Sequence, residues 1–310
     1  MSTGATMMMT DVSTPLNRAT TIAPIMSAFS AGAAVGPALG GYLVDQVGLH
    51  ATFYVVGLSF MGVAGLNRVI MKETQSKPIR FPWLSMDATK GMTESEQKSV
   101  STAVRDAVSQ WAPLMKDSSV RSVMLMNGLY WVALAGAQMT LLPLILTDAD
   151  GMAMTATQVG QVYMGMSLIQ IFGNPLFAQL ADRVGKAPAI TGGCALISAS
   201  MAGLTVCSDY TQLAAALGTW AVGSSMLSAA PVAYVSDRVS DSKRAQALAL
   251  LRTWGDVGFL IGASGTGALA DWSGSLDVAM LSSSGLLLTG TVWFATRQMI
   301  NYRLQKTSDL

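Results

Sequence analysis

Long apolar runs separated by short polar connections dominate the chain. Runs close to the ~20 residues that an α-helix needs to cross a bilayer occur at eight places, which are 20–44, 51–70, 123–146, 158–181, 188–207, 210–234, 245–269 and 276–296. Because each run is long enough to span the hydrocarbon layer, the pattern predicts an all-α, polytopic protein of about eight transmembrane helices. Its surroundings are the lipid bilayer, and the sequence does not indicate which membrane.

One long polar segment interrupts this pattern between the second and third runs. It is rich in charged residues, Ser, Thr and Pro, and is typical of a linker between two membrane units. Thr93 and Glu96 have the spacing of a helix capping box, and apolar residues at helical period follow them. We therefore expect a membrane unit at 1–72, a cytoplasmic linker with a short amphipathic helix at 73–121, a six-helix unit at 122–300 and a cytoplasmic tail at 301–310.

Composition excludes several classes of protein. Only 12% of the residues are charged, against about 25% in soluble domains, and the net charge of +1 gives no attraction to nucleic acid. No phosphate-binding loop, Cys/His metal cluster or nucleophile–base pair is visible. The sequence therefore predicts a protein that is not an enzyme and has no metal site, no cofactor and no nucleic-acid partner.

The distribution of basic residues predicts the topology. If residues 1–19 are cytoplasmic, eight crossings put all 19 Lys and Arg residues inside or at the inner ends of the spans. Basic residues accumulate on the cytoplasmic side of membrane proteins. Both chain ends and the linker are therefore expected on that side.

An internal repeat relates the first and seventh spans. Residues 11–48 align without gaps on 237–274 at a constant offset of 226, with identities that include Asp11/Asp237, Arg18/Arg244 and Gly36/Gly262. Both copies run from the cytoplasm outward, so the repeat is parallel, as between the two halves of some transporters. We expect the two segments to form equivalent helix–loop units.

A glycine motif lies in the first span. Gly32, Gly36 and Gly40 recur every four residues on one helix face, where a neighbouring backbone can approach, and Pro37 bends the helix. The sequence GAAVGPALGG at 32–41 resembles the GxxxGPxxGG motif of the fifth helix in drug/proton antiporters of the major facilitator superfamily. The alternative is a glycine face that serves dimerisation alone. The helix-packing residues expected from this motif and its repeat are Gly32, Gly36, Pro37, Gly40, Gly41, Gly258, Gly262 and Gly267.

A second motif follows the fourth span. Residues 178–186, AQLADRVGK, resemble the GxLaDrxGrk loop between the eighth and ninth helices of that superfamily, although an ordinary charged turn is the alternative. The repeated Asp and Arg before the first and seventh spans resemble its cytoplasmic D…R connection. The resemblance implies a cytoplasmic gate formed by Asp182, Arg183, Gly185, Lys186, Asp11, Arg18, Asp237 and Arg244.

In the register of this family, residues 1–10 are the tail of a fourth helix and the chain lacks the first three helices and most of the fourth. The resemblance implies a major-facilitator-like bundle and secondary active transport of a small organic solute, coupled to protons, with drug efflux as one form of it. The alternative is a truncated, non-transporting membrane module that binds a partner through its helix faces.

Polar residues inside the apolar spans are candidates for coupling or for the cavity wall. Asp256 is expected near the bilayer midplane and Arg252 lies one turn before it, where the two can pair. Ionisable groups at that depth usually face a bundle interior or a water-filled cavity. Asn127, Gln138 and Asn174 are further candidates, although hydrogen bonds between helices explain them as well. Gly173 and Pro175 beside Asn174 predict a break in the fourth span.

Overall fold

The computed structural model describes residues 9–10, 13–70, 105, 109, 111–148 and 151–308. Within these residues each predicted span coincides with one long helix. In chain order they are α1 (Arg18–Val47), α2 (Leu49–Ile70), α3 (Ser118–Ala133, continued by a π-helical segment Leu134–Leu141 and by Leu142–Thr147), α4 (Ala156–Val184), α5 (Lys186–Leu204), α6 (Tyr210–Leu227 and Ala230–Arg238), α7 (Asp241–Ser273) and α8 (Leu276–Ser308).

Local capping residues fix where several helices begin. Asp117 accepts hydrogen bonds from Ser119 N at 2.7 Å and Val120 N at 3.3 Å at the start of α3. Thr155 and Gln158 form a reciprocal capping box at the start of α4, and Asp209 accepts from Gln212 N at 2.8 Å at the start of α6. These oxygens satisfy backbone N–H groups that have no partner within their own helix.

The chain forms two compact units, one of residues 1–42 with 111–310 and one of residues 43–110. The core of the first unit contains large, fully buried side chains, among them Trp220, Phe294, Met124 and Ile197. Adjacent helices lie close to each other in this core. A Cβ added at Gly193 of α5 would lie 2.8 Å from the carbonyl oxygen of Gly223 in α6. In the second unit, α2 exposes large apolar side chains such as Tyr54 and Phe60. The expected boundary between residues 72 and 73 lies outside the described residues, and so does most of the expected amphipathic helix of the linker.

In the part of the chain that the structure describes, six helices are long and apolar enough to cross a membrane, namely α1, α2, α3, α5, α6 and α8. The other two, α4 and α7, have 29 and 33 residues and exceed the ~20 residues needed, but they are more polar. Both contribute polar side chains to a cavity described below. The all-α architecture with eight long helices therefore agrees with the sequence prediction.

The two repeated helices end at equivalent positions. α1 ends at Val47 before Gly48, and α7 ends at Ser273 before Gly274. Both glycines have positive φ, 82° and 64°, and both lie at the offset of 226 found in the sequence. The repeat therefore includes the turn that ends each helix.

The predicted packing glycines have different surroundings within both α1 and α7. A Cβ at Gly258 or Gly262 would lie 2.2 or 2.3 Å from a carbonyl oxygen of α3, so the two backbones touch. A Cβ at Gly32, Gly36, Gly40 or Gly267 would meet no described atom within 4 Å. At those four glycines the described residues show no close approach of a neighbouring helix.

The close approach of α1 to α4 uses the neighbouring face of α1. A Cβ on Gly41 would lie 2.3 Å from the carbonyl oxygen of Ala156, and one on Gly160 would lie 2.4 Å from that of Pro37. One residue turns the helix by roughly 100°, so Pro37 and Gly41 point away from the face of Gly36 and Gly40. Within the motif, the close contacts with α4 are therefore at Pro37 and Gly41.

The predicted break in the fourth span is absent. α4 is continuous from Ala156 to Val184 with Pro175 inside it. A proline in a helix removes one backbone hydrogen bond without having to end the helix when neighbouring helices support it. Irregular backbone lies instead in α3, through its π-helical segment Leu134–Leu141, and in α6, which is interrupted after Leu227.

Candidate functional site

Five helices of the first unit line an open cavity of about 610 Å³. This volume lies within the roughly 300–1,000 Å³ of ordinary small-molecule sites. Helix α1 contributes Met26, Phe29, Ser30, Ala33 and Pro37; α3 contributes Asn127, Tyr130, Trp131, Leu134, Gln138, Met139 and Pro143; α4 contributes Tyr163, Ser167, Gln170 and Asn174; α6 contributes Ser224, Leu227, Ser228, Pro231 and Val232; α7 contributes Leu248, Leu251 and Arg252.

The three amides singled out in the sequence all line this cavity. Asn127 donates through Nδ2 to the carbonyl oxygen of Leu251 at 3.0 Å, which joins α3 to α7. Asn174 donates to Ser30 Oγ at 3.1 Å, and Ser30 donates in turn to Gln170 Oε1 at 3.3 Å, which joins α4 to α1. These side chains therefore contribute both to the cavity wall and to contacts between helices, the two alternatives that the sequence left open.

The π-helical segment brings a backbone carbonyl to the cavity wall. Tyr163 of α4 donates its hydroxyl to the carbonyl oxygen of Gln138. A Cβ on Gly136 would lie 2.4 Å from Thr266 Cγ2 of α7, so the segment is held on two sides. π-Helical turns inside α-helices are frequent at functional sites.

Arg252 and Asp256 form the predicted pair, with Nε of Arg252 3.0 Å from Oδ1 of Asp256. Their side chains are 46% and 59% exposed, respectively. The guanidinium also lies over the ring of Trp131, 5.8 Å from its centroid. Only Arg252 lines the cavity, because Asp256 lies one turn further along α7, outside the lining.

At the N-terminal end of α1, the carboxylate of Asp182 binds the first turn of the helix. It accepts from Ala19 N at 3.2 Å, Thr20 N at 2.9 Å and the Thr20 hydroxyl at 2.8 Å. The first backbone N–H groups of a helix have no internal partner and carry a partial positive charge. A carboxylate from the end of α4 therefore caps α1 across the interface.

Charged side chains extend this contact to α6. Arg18 pairs with Asp237, and Lys186 lies between two carboxylates, 3.1 Å from Asp237 Oδ2 and 3.4 Å from Asp182 Oδ1. Lys186 also donates to the carbonyl oxygen of Pro15. We call Arg18, Asp182, Lys186 and Asp237 the charged cluster. It joins α1, the α4–α5 turn and α6.

The other predicted gate residues take no part in the ion pairs given above for the charged cluster. Gly185 makes the α4–α5 turn with φ of 115°, a conformation that favours glycine. Arg183 is exposed, and Arg244 pairs with Asp241 of its own helix. Asp11 lies outside the described residues.

Sequence reasoning missed several cavity residues, among them Ser30, Tyr163 and Ser167, although their spacing could have revealed them. On α4, Tyr163, Ser167, Gln170 and Asn174 follow at intervals of four, three and four residues, which places them on one helix face. The same intervals connect the cavity-lining positions 26, 30, 33 and 37 on α1 and 127, 131, 134 and 138 on α3.

These helices define an integral, multi-pass membrane protein with a cavity of small-molecule size inside its bundle. The model of the Major Facilitator Superfamily matches residues 1–150 and 123–307, and the chain belongs to this family, whose members are transporters and not enzymes.

Two known proteins illustrate the similarity. An uncharacterized MFS-type transporter of Methanocaldococcus jannaschii is 24% identical over 266 residues, which cover 86% of this chain and 63% of that protein. The crystal structure of the human organic anion transporter MFSD10 matches with a TM-score of 0.68 at 16% identity, over 94% of this chain and 67% of that one. The chain therefore spans less than two thirds of the length of the Methanocaldococcus jannaschii protein.

Proposed function

We propose that this protein carries out secondary active transport of a small organic solute across a membrane. The observation that supports the proposal is the cavity of about 610 Å³ bordered by five helices, with one ion-paired side chain in its wall. Membership of the Major Facilitator Superfamily gives the same expectation. In its more specific form, the proposal is that the solutes are drug-like compounds and that the direction of transport is efflux.

Protons are the proposed coupling ion, and Asp256 is the proposed proton carrier. Asp256 is an ionisable carboxylate, and its contact with Arg252 at 3.0 Å connects it to the cavity wall. Since Asp256 is outside the cavity lining, its effect on a bound solute would pass through Arg252.

We further propose that the charged cluster acts as the cytoplasmic gate. Its members come from α1, the α4–α5 turn and α6, so separation of these elements requires the ion pairs to break. Partly buried pairs are costly to separate into unpaired charges. The cluster would thus stabilise one state of the transporter over another.

Uptake into proteoliposomes tests the function. The purified chain would be reconstituted and supplied with ethidium, 2-naphthoate or glucose, with and without an imposed pH gradient. We expect Asp256→Asn to abolish gradient-driven accumulation but to retain exchange of solute without a gradient, because exchange does not require proton release. Asp277→Asn, at an exposed carboxylate of α8, is the matched control.

Two results would count against the proposal. Wild-type accumulation by Asp256→Asn would remove the coupling role from Asp256. If the wild-type chain carried none of the three solutes in either condition, while its folded state was intact, the alternative of a membrane module that binds partners through its helix faces would be favoured.

A further inference from the structure

The lining of the cavity contains a positively charged side chain and no negatively charged one. Among its lining residues Arg252 is the only Asp, Glu, Lys, Arg or His side chain. The carboxylate that pairs with it, Asp256, does not line the cavity. A ligand inside the cavity therefore meets a cation directly, while the balancing negative charge lies outside the lining.

The guanidinium of Arg252 also has hydrogen-bond donors that its contact with Asp256 does not use. Its described contact with Asp256 is made through Nε, at 3.0 Å to Oδ1 and 3.2 Å to Oδ2. An arginine has five N–H donors in a planar fork, and the two terminal nitrogens suit a carboxylate bound through both of its oxygens. In the described part of the chain no hydrogen bond uses these terminal nitrogens.

The surface beside Arg252 is aromatic and apolar. Trp131 lies under the guanidinium at 5.8 Å and packs edge-on against Tyr130, with 5.9 Å between ring centroids. Phe29 and Met26 of α1 line the same cavity and are only partly covered. Such walls bury the apolar body of a ligand, while a few polar groups fix its orientation.

We propose that the cavity selects amphipathic organic anions, in which one carboxylate or a similar acid group is attached to an aromatic or apolar body. Arg252 is the specificity-determining residue, and the acid group of the ligand competes with Asp256 for it. An organic cation would meet Arg252 without any carboxylate in the lining. This inference rests on the proposed transport function for its biological meaning, but the binding itself can be measured alone.

The test compares three ligands of the same shape that differ in charge, namely 2-naphthoate, neutral 2-naphthamide and cationic 2-naphthylmethylammonium. Binding to the purified full chain in lipid nanodiscs would be measured by isothermal titration. We expect 2-naphthoate to bind most tightly. Hydrogen bonds to charged groups are strong enough that Arg252→Gln should raise the Kd of 2-naphthoate by about ten- to a hundredfold, while the Kd of 2-naphthamide stays at its wild-type value.

Two further variants separate charge, geometry and folding. Arg252→Lys keeps the charge without the planar fork and should give an intermediate Kd. Asp256→Asn removes the competing carboxylate and should bind 2-naphthoate more tightly than the wild type. Arg297→Gln, at an exposed arginine of α8 outside the cavity, is the control and should bind as the wild type. A folded Arg252→Gln protein is identified by wild-type binding of 2-naphthamide.

The outcomes distinguish this inference from the proposed function. Equal binding of 2-naphthoate and 2-naphthamide, or tight binding of 2-naphthoate by Arg252→Gln, would overturn the inference even if another solute is transported. Preferential binding of 2-naphthoate that depends on Arg252, without uptake of 2-naphthoate into proteoliposomes, would support the inference and count against transport.

Discussion

At the scale of single residues, α3 and α7 approach closely because glycines at their contact have no side chains. A Cβ on Gly262 would lie 2.3 Å from the carbonyl oxygen of Val132 and 2.7 Å from its Cα. Both atoms belong to the backbone, so a larger residue could be accommodated only by moving one helix away from the other. Gly267, five residues further along α7, has no described atom within 4 Å of its Cβ position.

This difference predicts the effect of two matched substitutions. Gly262→Val should destabilise the protein by about 1–3 kcal/mol or more, the cost of forcing extra atoms into a packed interface, whereas Gly267→Val should cost much less. Thermal unfolding of both purified variants in the same detergent would measure the difference. Equal loss of stability would show that the α3–α7 approach is not what limits residue size at 262.

At the scale of elements, α1 depends on α4 for its N-terminal cap. The side chain of Asp182 is 5% exposed and accepts three hydrogen bonds from Ala19 and Thr20. Capping oxygens normally come from a residue next to the helix they cap. In this protein the cap comes from a residue far away in sequence, so the start of α1 and the end of α4 are stabilised together.

We therefore predict that Asp182→Ala lowers the free energy of unfolding by about 1–2 kcal/mol, the usual cost of losing a helix cap. Asp182→Asn should be intermediate, because it keeps an acceptor oxygen but loses the charge that favours the helix N-terminus. The control is Arg183→Gln, since the neighbouring Arg183 is exposed. A larger loss for Arg183→Gln than for Asp182→Ala in thermal unfolding would contradict this account.

At the scale of the whole molecule, the predicted topology places the α5–α6 connection outside and the α6–α7 connection inside. The first connection contains Cys207, a half-buried thiol that contacts the carbonyl oxygen of Gly203 at 3.2 Å. Burial, and then the charge of Asp209, raise the pKa of Cys207 above its ordinary value. The other cysteine, Cys194, is fully buried in α5.

These facts predict the labelling of intact cells by a membrane-impermeant maleimide. Cys207 should react, and faster as the pH rises, because a raised pKa leaves less of the reactive thiolate near neutral pH. In a Cys207→Ser background, Ser242→Cys on the exposed start of α7 should react only after the membrane is permeabilised. Labelling of both positions in intact cells would overturn the topology.

The positions of the helices were set by information that is local in sequence. Apolar runs of membrane-spanning length act within a few turns of the chain, so the sequence predicted where eight helices lie. Helix α8 is the largest departure, because it continues to Ser308, twelve residues beyond the predicted run. The capping residues Asp117 and Thr155 are also local, although the prediction did not use them. The Arg252–Asp256 pair was equally accessible, because residues four apart on a helix are neighbours.

Contacts between helices were decided by the tertiary structure. The sequence pattern could not show that α1 approaches α4 through Pro37 and Gly41 and leaves Gly36 open, since either face of a glycine-rich helix can receive a neighbour. Nor could it show that Arg252 lines the cavity while Asp256 does not. Helical spacing defines which residues share a face, but the rotation of each helix in the bundle depends on the summed packing of all its neighbours.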